Sequence, residues 1–191
     1  MPQARTLTKT QLKQVIDVTN SCSRYPLRDT SMLLLTHLCG LRVGEVATLT
    51  FDEVLDSNGQ VLDEITLSPE KTKSKRSRKV MIPRKMRRRL QRYINHIGRI
   101  PAHGFLFSTQ KARHFTPNTA AQHLKRLYER AGIHGATSHS GRRTWLTRLS
   151  EKGVSVFVLA DLAGHLQLET TRKYITVNDS LKRNAAELIN L

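Results

Sequence analysis

The sequence is poor in acidic residues relative to basic ones. Only 15 Asp and Glu stand against 32 Lys and Arg in 191 residues, which gives a formal charge of +17. An excess of this size makes a polyanion the expected partner, with nucleic acid ahead of a membrane surface.

The sequence also has little cysteine and no long apolar run. Cys22 and Cys39 are not spaced like metal ligands, and Cys39 lies in an apolar segment that favours a reduced core thiol. No bilayer-length apolar span, lipidation signal or signal-peptide core is present, so we expect no membrane partner and a cytoplasmic location. The hydrophobic fraction of 38% is low but sufficient for a core, and the length suits one domain, or one with a small appendage.

Apolar spacing predicts a mainly α-helical chain. Helices are expected over residues 8–19, 27–38, 84–98 and 117–132, then from near His139 to near Gly153, and over 154–162, 170–174 and 180–190. The pair Asn58-Gly59 is a strong signal for a tight hairpin turn. Two strands are expected over 63–67 and 78–82, and residues 105–107 form either a short buried strand or an apolar anchor.

A run of basic residues separates the two predicted strands. Most of this tip is expected to be a solvated charge run, although such a tip can also reach into a DNA groove and contact phosphates. The residues that we expect to contact DNA are Lys71, Lys75, Arg76 and Arg78 of this tip, and Arg143.

The residues that point to chemistry lie mostly between 139 and 174. His139 and Arg142 are three apart at a predicted helix start, where free backbone N–H groups and the helix dipole favour a phosphate. His165 follows an Ala-Gly pair, and Tyr174 comes nine residues later. Arginine matches phosphate oxygens, histidine can move protons near neutral pH, and tyrosine can act as an oxygen nucleophile. Each alone is more often an ordinary surface or core residue, so the argument rests on their order and spacing.

A fifth candidate residue, Arg42, lies far upstream of His139, Arg142, His165 and Tyr174. It lies at a predicted helix start between Leu41 and Val43, where an arginine with buried neighbours needs an anion or a carboxylate. Glu45, three residues on, is a candidate partner for it.

These motifs resemble the tyrosine site-specific recombinases, also called phage integrases. The resemblance rests on Gly40-Leu41-Arg42, a lysine on a β-hairpin, His139-x-x-Arg142, Gly164-His165 and Tyr174. It implies an α+β fold, mainly α-helical with a small antiparallel three-stranded β-sheet. It also implies a catalytic set of Arg42, Lys73, His139, Arg142, His165 and Tyr174, with Glu45 in support. Lys71 and Lys75 remain alternatives to Lys73.

The sequence departs from the family pattern at two kinds of place. Arg143 stands where the family often has His, and Ser140-Gly141 replaces a commoner Asp-Leu. The catalytic part begins almost at Met1, so we expect residues 1–177 to be the catalytic domain and the N-terminal core-binding domain to be absent. The chain is then either a short natural member of the family or a fragment. Residues 178–191 are expected to form a C-terminal helix, whose apolar face (Leu181, Ala185, Leu188 and Ile189) docks on a neighbouring protomer or folds back on its own domain.

The resemblance further implies cleavage of DNA through a 3′-phosphotyrosyl bond, with no metal and no other cofactor. The implied partners are double-stranded DNA, further copies of the chain (a dimer to a tetramer on DNA) and accessory DNA-bending proteins, and the implied location is with the nucleoid. Three other interpretations stay open from the sequence. They are a protein that binds nucleic acid through charge alone, a relaxing type IB topoisomerase, and a recombinase-derived regulator that binds without cutting.

Overall fold

A buried helix, α2, forms the centre of the fold. The computed structural model describes residues 4–72, 75–98, 103–175, 177 and 179–187. The described elements, in chain order, are α1 (Lys9–Cys22), α2 (Pro26–Leu38), α3 (Val43–Thr48), α4 (Phe51–Val54), β1 (Glu64–Leu67), β2 (Arg78–Met81), α5 (Arg84–Ile97), α6 (Pro117–Arg130), α7 (Ser140–Glu151), α8 (Val156–Ala163), α9 (Leu168–Arg172) and α10 (Asp179–Glu187), with a single 3₁₀ turn at Pro69–Lys71. None of the helices in these described ranges is both long enough and apolar enough to cross a membrane.

Helix α2 packs against α1, α5, α6 and α7, which explains why its apolar run has no exposed side. Its polar side chains bond to the carbonyls of the turn before them: Thr30 to Pro26 at 2.5 Å, Ser31 to Leu27 at 2.6 Å, and Thr36 to Leu33 at 2.7 Å. Because these hydroxyls are satisfied within the helix, they can be buried at little cost. The C-terminal end of α2 leads through Gly40 to Arg42.

The expectation of a three-stranded sheet is wrong for the described residues. They contain one two-stranded antiparallel sheet, in which Glu64 pairs with Met81 and Leu67 with Arg78. The third apolar segment is an anchor, since Phe105 makes only an isolated bridge to Thr50. The Leu106 N–H donates to the Leu49 carbonyl at 2.7 Å, and the Leu106 carbonyl accepts from the Tyr93 hydroxyl at 3.0 Å. These bonds use the backbone groups that a third strand would have paired with the sheet.

The predicted helices are present, with ends shifted by a few residues, and the Asn58-Gly59 turn is confirmed by the bridge between Leu55 and Val61. One local expectation is wrong. Tyr174 was expected inside a short helix, but α9 ends at Arg172, and Tyr174 lies in the following turn with its N–H on the Thr171 carbonyl at 2.9 Å. The position of the Tyr174 phenol therefore depends on one hydrogen-bonded turn rather than on a helix.

Two separate apolar clusters hold the fold together. The main core draws on α1 to α6 and the sheet, and it contains most of the buried side chains. The second cluster consists of Leu146, Leu159 and Ala163, with Trp145, Leu149, Val154 and Tyr174 packed against them. The tyrosine therefore belongs to the small cluster, whereas Leu41 and Val46, which flank Arg42, belong to the main core.

Candidate active site

Arg42 is fixed at the start of α3 by Glu45. Its backbone N–H donates to Glu45 Oε2 at 2.7 Å, and its Nη1 donates to Glu45 Oε1 at 2.9 Å. This is a capping box in which the helix cap is also the candidate phosphate-binding cation. The Arg42 guanidinium remains partly exposed, and its Nη2 lies 3.4 Å from the Gly164 carbonyl oxygen. The arginine is therefore held at its base and presents its tip to the cleft beside Gly164.

Arg142 lies one turn into α7 and is only 6% exposed. Its Nη1 donates to the Gly40 carbonyl at 2.5 Å, and its Nη2 donates to the Ala163 carbonyl at 2.5 Å. Burial and, to a smaller extent, the nearby charge of Arg42 lower the pKa of the guanidinium to about 9, although Glu45 opposes the shift. The group still carries its charge at neutral pH, and in the described residues no carboxylate pairs with it directly. An anion bound beside Arg142 would offset the free-energy cost of burying its charge.

His165 connects Arg142 to the tyrosine segment. Its Nε2 lies 3.1 Å from Arg142 Nη2, which can only donate, so Nε2 accepts and the ring is neutral. Nδ1 then carries the proton and donates to Thr171 Oγ1 at 2.8 Å. Burial lowers the pKa of His165 to about 4, with smaller contributions from Arg142, Arg42 and Arg78. A phosphate between these cations would raise this pKa and allow Nε2 to donate.

Tyr174 lies against His165, with the two ring centroids 6.1 Å apart and the planes at 20°. Its side chain is half-buried and packs on the second apolar cluster. The structure thus brings Arg42, Arg142, His165 and Tyr174 around one cleft, although 132 positions separate the first from the last.

His139 is the N-cap of α7 and its side chain is exposed, three residues before the buried Arg142. Its N–H lies 3.3 Å from Thr137 Oγ1, and no contact in the described residues joins its ring to His165 or Tyr174. Arg143 is half-buried, and its Nε has no partner among the described atoms.

The basic tip between the strands divides into tied and exposed residues. Lys71 is tied, because its Nζ donates to the Thr48 carbonyl at 2.8 Å and to Glu53 Oε2 at 2.7 Å. Lys75 and Arg76 are exposed, and Lys75 has a positive φ of 51°. Lys73, the expected catalytic lysine, lies outside the described residues.

Arg78 differs from the rest of the tip. Its side chain is buried, with Nη2 on Glu45 Oε2 at 2.6 Å and Nη1 on the Leu162 carbonyl at 2.8 Å. The expected contact with DNA would need an exposed side chain, and this one is buried, so the contact stays a prediction.

Sequence reasoning missed Thr171 and the carbonyls of Gly40 and Ala163. Thr171 is fully buried and orients the His165 ring. Its only signal in the sequence is a Thr-Thr pair three residues before the tyrosine, and the two threonines are indistinguishable there. In the described ranges, no group of three or more His, Cys, Asp or Glu is arranged to hold a metal ion.

Comparison with known proteins finds similarity to one family. The model of the phage integrase family matches residues 5–180. A tyrosine recombinase of Pseudothermotoga lettingae is 35% identical over 159 residues, covering 83% of this chain and 52% of that protein. The chain thus spans about half the length of this curated relative.

Two solved structures share the fold. The crystal structure of XerA recombinase has a TM-score of 0.75 at 22% identity, covering 98% of this chain and 66% of that one. The Tn1549 transposon integrase, solved in complex with transposon right end DNA, has a TM-score of 0.71 at 21% identity, covering 99% and 67%. With the family model spanning nearly the whole sequence and the motifs in the family's order, the chain belongs to the phage integrase family, the tyrosine recombinases.

Proposed function

We propose that this chain is the strand-cleaving part of a site-specific DNA recombinase or integrase, which cuts and rejoins duplex DNA through a 3′-phosphotyrosyl bond. The observation that carries the proposal is the convergence of Arg42, Arg142, His165 and Tyr174 on one cleft. Two guanidinium groups, an imidazole and a phenol around one space suit an in-line attack on a phosphodiester.

In the proposed step, the Tyr174 oxygen bonds to the scissile phosphorus, and the bond from phosphorus to the 5′ oxygen breaks. The phenol proton leaves with the help of His139, and the electron pair departs on the 5′ oxygen. Arg42 and Arg142 bind the non-bridging oxygens as negative charge develops, and His165 adds a hydrogen bond. Since the phosphotyrosyl bond retains the energy of the diester, rejoining by another 5′-hydroxyl requires no ATP.

The 5′ oxygen needs a proton as it leaves, and we assign that proton to Lys73. Lys71 is the weaker alternative, because its ammonium already bonds to Glu53 and to the Thr48 carbonyl. Lys75 is exposed and remains a rival. Neither a metal nor another cofactor is required, because arginines neutralise the phosphate.

Double-stranded DNA is the proposed substrate. The formal charge of +17 supports it, as does the Tn1549 integrase, whose solved structure contains DNA. Strand exchange needs a second cleaved duplex, so we propose a dimer to a tetramer on DNA, with accessory DNA-bending proteins as further partners. The site of action is then the nucleoid in the cytoplasm. Residues 1–177 are the proposed catalytic domain.

We also retain the proposal that residues 178–191 dock on a neighbouring protomer. Of the expected apolar face, only the side chain of Ala185 is described, and it is exposed. The side chain of Leu181, and Leu188 and Ile189 entirely, lie outside the described residues.

A nicked suicide duplex tests the proposed function, because the short fragment that carries the released 5′-hydroxyl diffuses away and cannot rejoin, which leaves the covalent product trapped. We expect a denaturing gel to show a protein–DNA adduct with the wild-type chain and none with Tyr174→Phe, while both bind the duplex alike. An adduct with the Phe variant would contradict the role of Tyr174. Binding without any adduct would favour the non-cutting regulator, and relaxation of supercoiled DNA of any sequence by a monomer would favour the topoisomerase.

A further inference from the structure

Arg78 lies at the start of β2, beneath the cleft rather than on its surface. The side chain is 5% exposed, although its neighbours Ser77 and Lys79 are exposed. Burial lowers the pKa of its guanidinium, and the Glu45 carboxylate counteracts the shift. A cation is rarely buried in this way unless its hydrogen bonds are needed at that position.

One contact of Arg78 leads to the arginine side of the cleft. Its Nη2 bonds to Glu45 Oε2 at 2.6 Å, and the same oxygen accepts the Arg42 N–H. Glu45 Oε1 accepts Arg42 Nη1. The carboxylate is therefore shared, and its rotamer depends on Arg78 as well as on Arg42. A charge-assisted hydrogen bond of this length restricts both partners.

The other contacts of Arg78 lead to the tyrosine side. Its Nη1 bonds to the Leu162 carbonyl at 2.8 Å, at the end of α8. Its Cδ lies against Gly164, where a Cβ would overlap it, and Gly164 has a φ of 62°. His165 is the next residue. The stem of Arg78 thus packs directly beneath the turn that carries the histidine of the site.

We propose that Arg78 is a positioning residue, whose single guanidinium holds the Arg42–Glu45 pair and the turn of His165 at a fixed separation. A planar fork can reach two acceptors in different directions, whereas an ammonium on a shorter stem can satisfy only one of them with this geometry. The effect of Arg78 on cleavage rests on the proposed strand-cleaving function, but its effect on His165 does not.

The test uses Arg78→Lys, which keeps the charge, and Lys79→Met as the matched control. Lys79 is the neighbouring exposed cation of the same strand, paired with Glu64 at 2.6 Å. In the free protein, NMR titration of His165 should show a pKa near 4 in the wild type and in Lys79→Met. In Arg78→Lys it should move toward the ordinary value of about 6.5, because the released ring gains solvent.

Single-turnover cleavage of the suicide duplex at saturating protein gives the second readout. A misplacement of about 1 Å can lower a rate about 100-fold, so we expect a loss of that order in Arg78→Lys, with half-site affinity within about twofold of wild type. Lys79→Met should cleave normally. If Arg78 were a phosphate contact instead, Arg78→Lys would preserve cleavage, and removing the charge would weaken binding.

The outcomes separate the two proposals. If the wild type forms no adduct, the proposed function fails, but the titration of His165 still decides the role of Arg78. A correctly folded Arg78→Lys variant with an unmoved His165 pKa and a normal cleavage rate would overturn the inference. Should Arg78→Lys fail to fold, Arg78→Met fills the same space without a buried charge. Normal cleavage by that variant would overturn the inference equally, and a loss near 100-fold at unchanged affinity would support it.

Discussion

The two sides of the cleft are built very differently. Arg42 and Glu45 stand on α3, between residues such as Leu41 and Val46 that have no exposed surface in the main core. His165 and Tyr174 depend on α8 and α9, which are anchored by the much smaller second cluster. Apolar residues remain exposed around this second side: Phe157 is 68% and Leu166 is 64% exposed.

This difference indicates a division of labour. The side with Arg42, which is proposed to bind phosphate, is set in advance by a large core and a shared carboxylate, so its donors need little reorganisation. The side with Tyr174, the proposed nucleophile, is held by few apolar contacts and by single hydrogen bonds such as that from His165 to Thr171. Regions with few buried apolar contacts open at lower free energy than the core. We infer that the position of Tyr174 can respond to DNA, whereas the position of Arg42 does not.

The largest effect should come from the arginine side. Arg142→Ala and Arg42→Ala each remove a proposed donor to a developing oxyanion, so we expect single-turnover cleavage to fall about 10²-fold to 10³-fold. Arg142→Ala should also destabilise the fold more than Arg42→Ala, because Arg142 ties the Gly40 and Ala163 carbonyls together. The control is Lys125→Ala, an exposed residue paired with Glu129. Cleavage near the wild-type rate in either arginine variant would refute its assignment.

The next effect is at Gly40, where the two sides touch. Gly40 and Gly59 both have a positive φ, of 65° and 73°, but a Cβ at Gly40 would overlap the Trp145 ring, whereas nothing lies near Gly59. Both alanine variants should carry backbone strain of about 1–2 kcal/mol. Gly40→Ala should lose up to about 3 kcal/mol more in urea unfolding, because Trp145 must move. Equal losses of unfolding free energy in the two variants would mean that Trp145 moves away from Gly40 at little cost.

The pH dependence of stability, together with the two histidine pKa values, compares His37, in the main core, with His165, beside the second cluster. Burial lowers the pKa of His37 to about 3, and its Nε2 lies 2.9 Å from the Tyr128 hydroxyl in the main core. Because the unfolded chain binds this proton near pH 6.5 and the folded protein does not, stability falls as the pH drops through that value. The free energy of unfolding should decrease by about 2 kcal/mol from pH 7.5 to pH 5.

The His37→Gln variant should show a flatter pH dependence over that window. His165 adds to the trend in the same direction, but less, since its ring is partly screened by solvent. Binding of a half-site should raise the pKa of His165 and leave that of His37 unchanged. A rise at both histidines would mean that DNA acts on the whole fold rather than on the cleft.

The smallest effect should come from Thr171. Thr171→Val removes the hydroxyl that accepts from His165 Nδ1 at 2.8 Å, while the side-chain volume is retained. A single hydrogen bond contributes about 1 kcal/mol, so we expect cleavage to fall about fivefold to tenfold. Thr170→Val is the control, because Thr170 is exposed. Identical rates for the two variants would show that the orientation of His165 does not limit the reaction.

The sequence predicted the parts that depend on local pattern. Apolar periodicity located the helices, and the order of Arg42, His139, Arg142, His165 and Tyr174 led to the family that the family model confirms. The roles of these residues stay predictions. The third strand was wrong because Leu106 bonds to the Leu49 carbonyl and to the Tyr93 hydroxyl, both distant in sequence, which no local pattern records.

The burial of Arg78 was not predicted, for a similar reason. In the sequence it closes a run of charges and looks like its exposed neighbours, but its burial depends on Glu45 and on the end of α8, 84 positions away. Thr171 could not be separated from Thr170 without knowing which one faces His165. The burial of Arg78 and the orientation of Thr171 both depend on contacts between segments that are distant in sequence.

Hydrogen exchange of the free protein tests the contrast between the two sides most directly. We expect amides of α2 and α3 to exchange only by global unfolding, and amides of α8, α9 and the Tyr174 turn to open at clearly lower free energy. On a full DNA site the second group should gain protection, while the first should not change. Equal protection of both groups in the free protein, or no gain on DNA, would contradict the account.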